Sequence, residues 1–157
     1  MSKDSTARIR EARPDDLPRL PVLMQQLSAN GAQPEAEVEA VTPSHESALK
    51  ELIESPYCHL LVLEEGGAVL GTCVVYILPN IPHGAARWAV VEHVVVDEAC
   101  RSRGYGEQLM AEAERLAREA GAYRLSLMSN VQRVDAHRFY KRLGYGSSHQ
   151  GFTKYFI

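Results

Sequence analysis

Hydrophobic residues change their spacing several times along this chain, and each change marks an element. The first residues, Met1 to Ala7, are polar and read as a loose tail. Arg8 to Ala12 reads as a short strand. From Arg13-Pro14-Asp15-Asp16 onward, Leu17, Leu20, Leu23, Met24 and Leu27 recur at helical spacing until Asn30-Gly31. A proline near the first turn and two acids at the positive end of the dipole suit a helix start. Pro18 and Pro21 work against an unbroken helix, because each removes a backbone donor. Residues 32–42 read as loop or frayed helix. A second helix is predicted from Pro43-Ser44 to about Glu54, with Ser44 as its cap.

After Ser55-Pro56 the period shortens. His59 to Leu63 and Val69 to Leu78 are strand-like runs joined by Glu64-Glu65-Gly66-Gly67, which predicts a hairpin. Residues 79–86 hold two prolines and a glycine and read as a loop. Trp88 to Val96 is apolar almost throughout, as a central strand covered on both faces should be. A polar stretch leads to Gly104-Tyr105-Gly106, which opens a helix from about Glu107 to Ala120. Its apolar residues form one face, and Gly121 ends it. Tyr123 to Met128 is predicted as a strand, Asp135 to Leu143 as a short helix, and Phe152 to Ile157 as a last strand. The order is a hairpin meander followed by strand, helix, strand at a parallel crossover length. It predicts an α/β mixed (α+β) class: one domain over residues 1–157, with a mixed sheet and helices on both faces.

Composition narrows the function. The 157 residues are 45% hydrophobic and 24% charged, ordinary for a globular domain. The net charge of −3 lacks the basic excess of a nucleic-acid partner. Cys58, Cys73 and Cys100 are scattered and odd in number, which fits reduced thiols in a cytoplasm. The six histidines do not fall at metal-ligand spacings, so no metal is expected. No apolar run is long enough to span a bilayer, so no membrane partner is expected.

The run Arg101-Ser102-Arg103-Gly104-Tyr105-Gly106 carries the chemistry. It joins a buried strand to a helix whose first amides have no partners within the helix, and whose dipole adds positive charge there. Two glycines leave room, and Arg101 and Arg103 add formal charge. The sum is a site for phosphate or pyrophosphate. The alternative is a tight turn with solvated arginines. A nucleoside-triphosphate loop would need Gly-Lys-Ser/Thr where Glu107-Gln108 follows, and a dinucleotide fingerprint would need a third glycine where Leu109 stands.

The run from Val91 to Met110 resembles the acetyl-CoA motif of the GNAT superfamily of N-acetyltransferases, Arg/Gln-x-x-Gly-x-Gly/Ala, with Arg101, Gly104 and Gly106 in place. Ala136 to Tyr145 is similar to the family's C-terminal Phe-Tyr block, and Ile9 to Leu17 to its opening sequence. The resemblance implies a mostly antiparallel mixed sheet with a splayed parallel strand pair. It implies acetyl-CoA as co-substrate. Amides from Ser102 through Arg103, Gly104, Tyr105 and Gly106 to Glu107 would then hold the pyrophosphate, and the strand edge at Val94, Val95 and Val96 the pantetheine. It also implies a primary amine acceptor, a small molecule or a peptide. Acetyl transfer needs the amine deprotonated and the leaving thiolate protonated. The resemblance makes Tyr140 the general acid, against a reading as a packed aromatic beside Phe139. Glu92, an acid within an apolar strand, is the candidate base, with an ion pair to an arginine as the alternative; its neighbour His93 is a weaker one. Where many members carry asparagine before the tyrosine, this chain has Arg133, with Asn130 out of register. Arg133 and Arg138 read as solvated helix charges, or as contacts to the CoA 3′-phosphate. His83, Trp88 and Tyr76 are candidates for the acceptor pocket, and the acids Glu35, Glu37, Glu39 and Glu46 for attracting a cation. A homodimer is compatible with this family. A non-catalytic acyl-CoA-binding or sensor domain is the competing reading.

Overall fold

The computed structural model describes residues 6–28 and 39–156. The chain divides into two compact units, residues 1–127 and 128–157. The first unit holds a five-stranded sheet in the order β1-β2-β3-β4-β5: β1 (Arg8–Glu11), β2 (Cys58–Glu65), β3 (Ala68–Leu78), β4 (Arg87–Val96) and β5 (Ala122–Ser126). The pairs from β1 to β4 are antiparallel, and β4 with β5 is parallel. The sheet is therefore mixed and mostly antiparallel, as expected.

Strand alternation sends two apolar layers to opposite faces. Leu60 and Val62 of β2, Val74 of β3 and Val95 of β4 form one cluster with Leu20, Leu23 and Leu49, which come from α1 (Leu20–Ser28) and α2 (Pro43–Glu54). The alternate residues Leu61, Leu63, Cys73 and Val75 are equally buried. Their face meets α3 (Tyr105–Glu119), which buries Leu109, Met110, Ala113 and Ala117. On the exposed side of α3, Arg115 holds Glu112 and Glu119, each at 2.6 Å. Gly71 lets this helix approach: a Cβ there would sit 3.2 Å from the Leu109 side chain.

Three expectations need correction. The predicted helix from Arg13 is broken: Pro14–Asp16 is a single 3-10 turn, and α1 begins only at Leu20. Pro18 and Pro21 are the reason, since neither can donate to the turn before it. The predicted stop at Asn30-Gly31 lies outside the described residues. The cap of α2 is Thr42 rather than Ser44, with its backbone N–H donating to His45 Nδ1 at 3.2 Å. Residues 152–156 form no strand, and Phe152, Tyr155 and Phe156 are each more than four-fifths exposed. A strand needs a ladder, and no other strand occurs among the described residues of the second unit to supply one. No helix of the described residues is long and apolar enough to cross a membrane.

Candidate functional site

The end of β4 and the start of α3 are fixed by several independent contacts. The Asp97 amide donates to the Leu70 carbonyl at 2.8 Å, which closes the strand onto β3. The Asp97 carboxylate accepts from the Ala99 amide and pairs with Arg19. These bonds, the backbone one foremost, hold its carboxyl below the usual aspartate range. Arg19 also donates through Nε to the Val69 carbonyl at 3.0 Å. The chain then turns through Ser102 at φ 64° and Gly104 at φ 77°. A non-glycine residue in the left-handed region is uncommon, and such residues cluster at ligand sites. Gly104 caps α3, and the Gln108 amide donates to the Gly104 carbonyl at 3.1 Å. The amides of the opening turn therefore face outward. A Cβ at Gly104 would meet nothing within 4 Å, so no side chain crowds this point of the turn.

Side chains beneath the turn support it. Buried Tyr105 donates its hydroxyl to Glu65 at the tip of β2, at 2.8 Å. Arg103 approaches the same carboxylate at 3.8 Å, and Arg101 is exposed, its Nε 3.5 Å from the Val96 carbonyl. Part of the formal charge expected for the ligand is thus shared with Glu65.

The edge of β4 opens beside this turn. The parallel ladder with β5 ends at Val90 and Ser126, well short of Val96. Across the sheet, Thr72 pairs with Val95 but Val74 with Glu92, so β4 carries one extra residue against β3. This is a β-bulge at His93, whose φ is 53°. It reverses the alternation, so that Glu92 and Val95 both turn to the face of α1 and α2. Val95 buries its side chain there, and Val96 packs near Gly71. At this edge the backbone is what remains to offer a ligand. Glu92 is half-buried and makes no hydrogen bond or ion pair among the described residues, which removes the arginine pair considered for it. His93 is exposed on the bulge.

Tyr140 belongs to the second unit, on α4 (Val134–Arg142). It is half-buried, with edge-on rings of Phe139 at 5.2 Å and Tyr145 at 6.0 Å. The Tyr145 amide donates to the Tyr140 carbonyl at 3.0 Å, which folds the end of the helix back. Arg133 precedes α4, its amide donating to the Asn130 carbonyl, and Arg138 pairs with Asp135 at 3.2 Å on the exposed side.

Of the acceptor candidates, Tyr76 packs against the α1/α2 cluster, and burial raises its hydroxyl pKa, with the charges of Cys58 and Glu92 adding to it. His83 stacks on Tyr123, ring centres 4.2 Å apart. Trp88 lies under the guanidinium of Arg124, 4.9 Å from its ring centre. Arg124 was not singled out from sequence. A lone arginine in a strand of mixed residues gives no signal without the register that sets it over Trp88. Glu39 lies 3.6 Å from His45, Glu46 is in the first turn of α2, and Glu35 and Glu37 fall outside the described residues. No group of side chains suited to a metal occurs among the described residues.

The sequence and fold both find relatives. The aminoalkylphosphonate N-acetyltransferase of Salmonella typhimurium is 39% identical over 100 residues, which are 63% of this chain and 64% of that protein. A protein of Agrobacterium tumefaciens str. C58, solved as a candidate acetyltransferase, superposes with a TM-score of 0.84 at 30% identity, over 94% of this chain and 99% of its own. A chain from Bacillus halodurans C-125 solved as a transcriptional regulator gives a TM-score of 0.86 at 29% identity, over 96% of this chain and 100% of its own. Residues 25–145, which span β2 to β5 and the glycine turn, match the Acetyltransferase (GNAT) family, and the chain belongs to it.

Proposed function

We propose that this chain transfers an acetyl group from acetyl-CoA directly to a primary amine of a small molecule or a protein. The observation that carries the reading is the open edge of β4 running straight into the glycine turn at the start of α3. Extended backbone suits the amides of a pantetheine arm, and outward helix amides suit a pyrophosphate. The residues fit that ligand: Val94, Val95 and Val96 through their backbone, then Arg101 and the turn from Ser102 to Glu107, with open space at Gly104. When bound, acetyl-CoA supplies an activated thioester and a thiolate leaving group.

The chain's own groups do the proton work. Glu92 accepts a proton from the acceptor's ammonium group, directly or through a water, and so frees the nitrogen lone pair for attack; its carboxylate is half-buried and makes no hydrogen bond or ion pair among the described residues. Tyr140 gives its phenolic proton to the departing sulfur. A phenol hydroxyl carries a proton to donate, which suits a leaving thiolate. The reading treats residues 1–157 as one functional domain. The acceptor of the Salmonella relative, an aminoalkylphosphonate, supports a small amine.

The test is thiol release from acetyl-CoA by the full chain with a broad amine panel, beside calorimetric binding of CoA. Tyr140→Phe and Glu92→Gln should each lower kcat by roughly 10²-fold, within the range of general acid–base catalysis. CoA binding without acetylation of any amine, and a silent Tyr140→Phe, would instead establish a non-catalytic CoA-binding domain.

A further inference from the structure

Glu92 and Arg124 are charges of opposite sign on one face of the sheet, each half-buried. Neither makes an ion pair or hydrogen bond among the described residues. Glu92 pairs with Val74, whose side chain lies in the α1/α2 cluster, so Glu92 emerges on that face. Trp88 and Val90 alternate with it along a regular stretch of β4 and share the face. Arg124 enters from β5, its guanidinium 4.9 Å from the Trp88 ring centre and 5.4 Å from that of Tyr123. Tyr123 is itself braced by His83. The Arg124 Nε is sealed from solvent without a hydrogen-bond partner among the described residues.

A buried polar group normally finds a hydrogen bond. Ring faces offset part of the cost of burying a guanidinium, but they satisfy none of its N–H donors. Stacking instead fixes the plane of the fork, the geometry that grips a carboxylate or a phosphoryl group with two parallel bonds. Trp88 and Glu92 lie four positions apart on β4, about 13 Å at roughly 3.3 Å per residue. Long side chains from positions this far apart can take the two ends of a short aminoalkyl acid.

We propose that this face selects zwitterionic acceptors: the amine sits at Glu92, and an anionic group a few bonds away, a phosphonate, phosphate or carboxylate, is held by Arg124. The inference rests on the transferase reading and names its substrate class. Arg124 is a specificity determinant here and takes no part in the proton transfers.

The experiment compares amines of matched length in the steady-state assay of the full wild-type chain: 2-aminoethylphosphonate and β-alanine against propylamine and ethanolamine. The anionic amines should show kcat/KM at least tenfold above the neutral ones, mainly through lower KM. In Arg124→Gln that ratio should fall towards one, and Arg124→Lys should restore part of it. Turnover of neutral amines as efficient as that of anionic ones in the wild type overturns the inference while leaving the transferase reading intact. So does a variant that loses both classes in equal proportion. Failure of every amine with CoA still bound overturns the transferase reading, and this inference with it.

Discussion

Gly104 offers a test of the donor site that carries its own control. The residue sits at φ 77° as the cap of α3, and a Cβ there would touch nothing within 4 Å. Alanine at this position therefore suffers no clash, only the backbone penalty of the left-handed region, roughly 1–2 kcal/mol. Gly121, just past the other end of the same helix, has φ 74° and equally open surroundings. Gly121→Ala should cost about the same. For a chain of this length, that is a fall in Tm of roughly 2–8 °C for either variant. Their effects on CoA should diverge. A methyl group at Gly104 stands within the turn proposed to hold the pyrophosphate, whereas one at Gly121 lies at the far end of a 15-residue helix. We expect Gly104→Ala to weaken CoA binding at least tenfold by calorimetry, and Gly121→Ala to leave it within twofold. Equal CoA affinity in the two variants, at similar Tm losses, would refute the placement of the pyrophosphate at this turn.

Two further outcomes follow from groups outside the site. Arg10 donates to both carboxylate oxygens of buried Asp16, at 2.7 and 2.9 Å, and this contact holds the Asp16 pKa below the usual aspartate range. A depressed carboxyl contributes stability that is complete above the unfolded value, near pH 4, and is lost as pH falls through the folded one. Arg10→Met should cost on the order of 3 kcal/mol at pH 7, and urea titrations should show its deficit against wild type narrowing below about pH 4; a deficit constant from pH 7 to pH 2.5 would contradict the pairing. Burial pushes the Cys58 thiol up to about 11 and the Cys73 thiol up to about 12, while Cys100 is only partly covered. A thiol reagent such as DTNB should therefore titrate one cysteine in the native chain and all three in guanidinium; rapid native reaction of three would show the sheet core open to solvent.

Much of the fold was legible because several segments have a single dominant signal. The apolar run at Trp88 to Val96 and the one-faced helix after Gly106 each fit one element only, and the structure places both within a residue or two of their predicted bounds. The first helix was less legible, because its leucine spacing and its prolines disagree, and the prolines decide where the helix can begin. The extra residue of β4 was hidden. Val-Glu-His-Val-Val-Val reads as an unbroken strand, and only the partner register, Thr72 to Val95 and Val74 to Glu92, reveals the bulge at His93. The turn could be read because glycine and arginine positions are themselves its signal, whereas Arg124 takes its meaning from a neighbour 36 positions away in sequence, Trp88.

The bulge would let one strand serve both halves of the proposed reaction. In a regular strand, residues 92 and 95 point to opposite faces. The inserted residue brings both to the α1/α2 face, so Val95 anchors the strand in the core while Glu92 stands half-buried beside it. Bulges increase local twist, and here the ladder to β5 has already ended before the bulge begins, at Val90. The same residue thus orients the candidate base and lies where β4 continues without β5, beside the edge proposed for the pantetheine. The end of this strand is then tied down, by the Asp97 amide on Leu70 and by the Asp97 carboxylate on Arg19 and Ala99. The candidate base on a bent strand and the candidate anion site on a pinned turn, which starts ten positions later at Ser102, would then hold acceptor and donor without a conformational search. That is preorganisation, and it lowers the entropic cost of bringing reactants together.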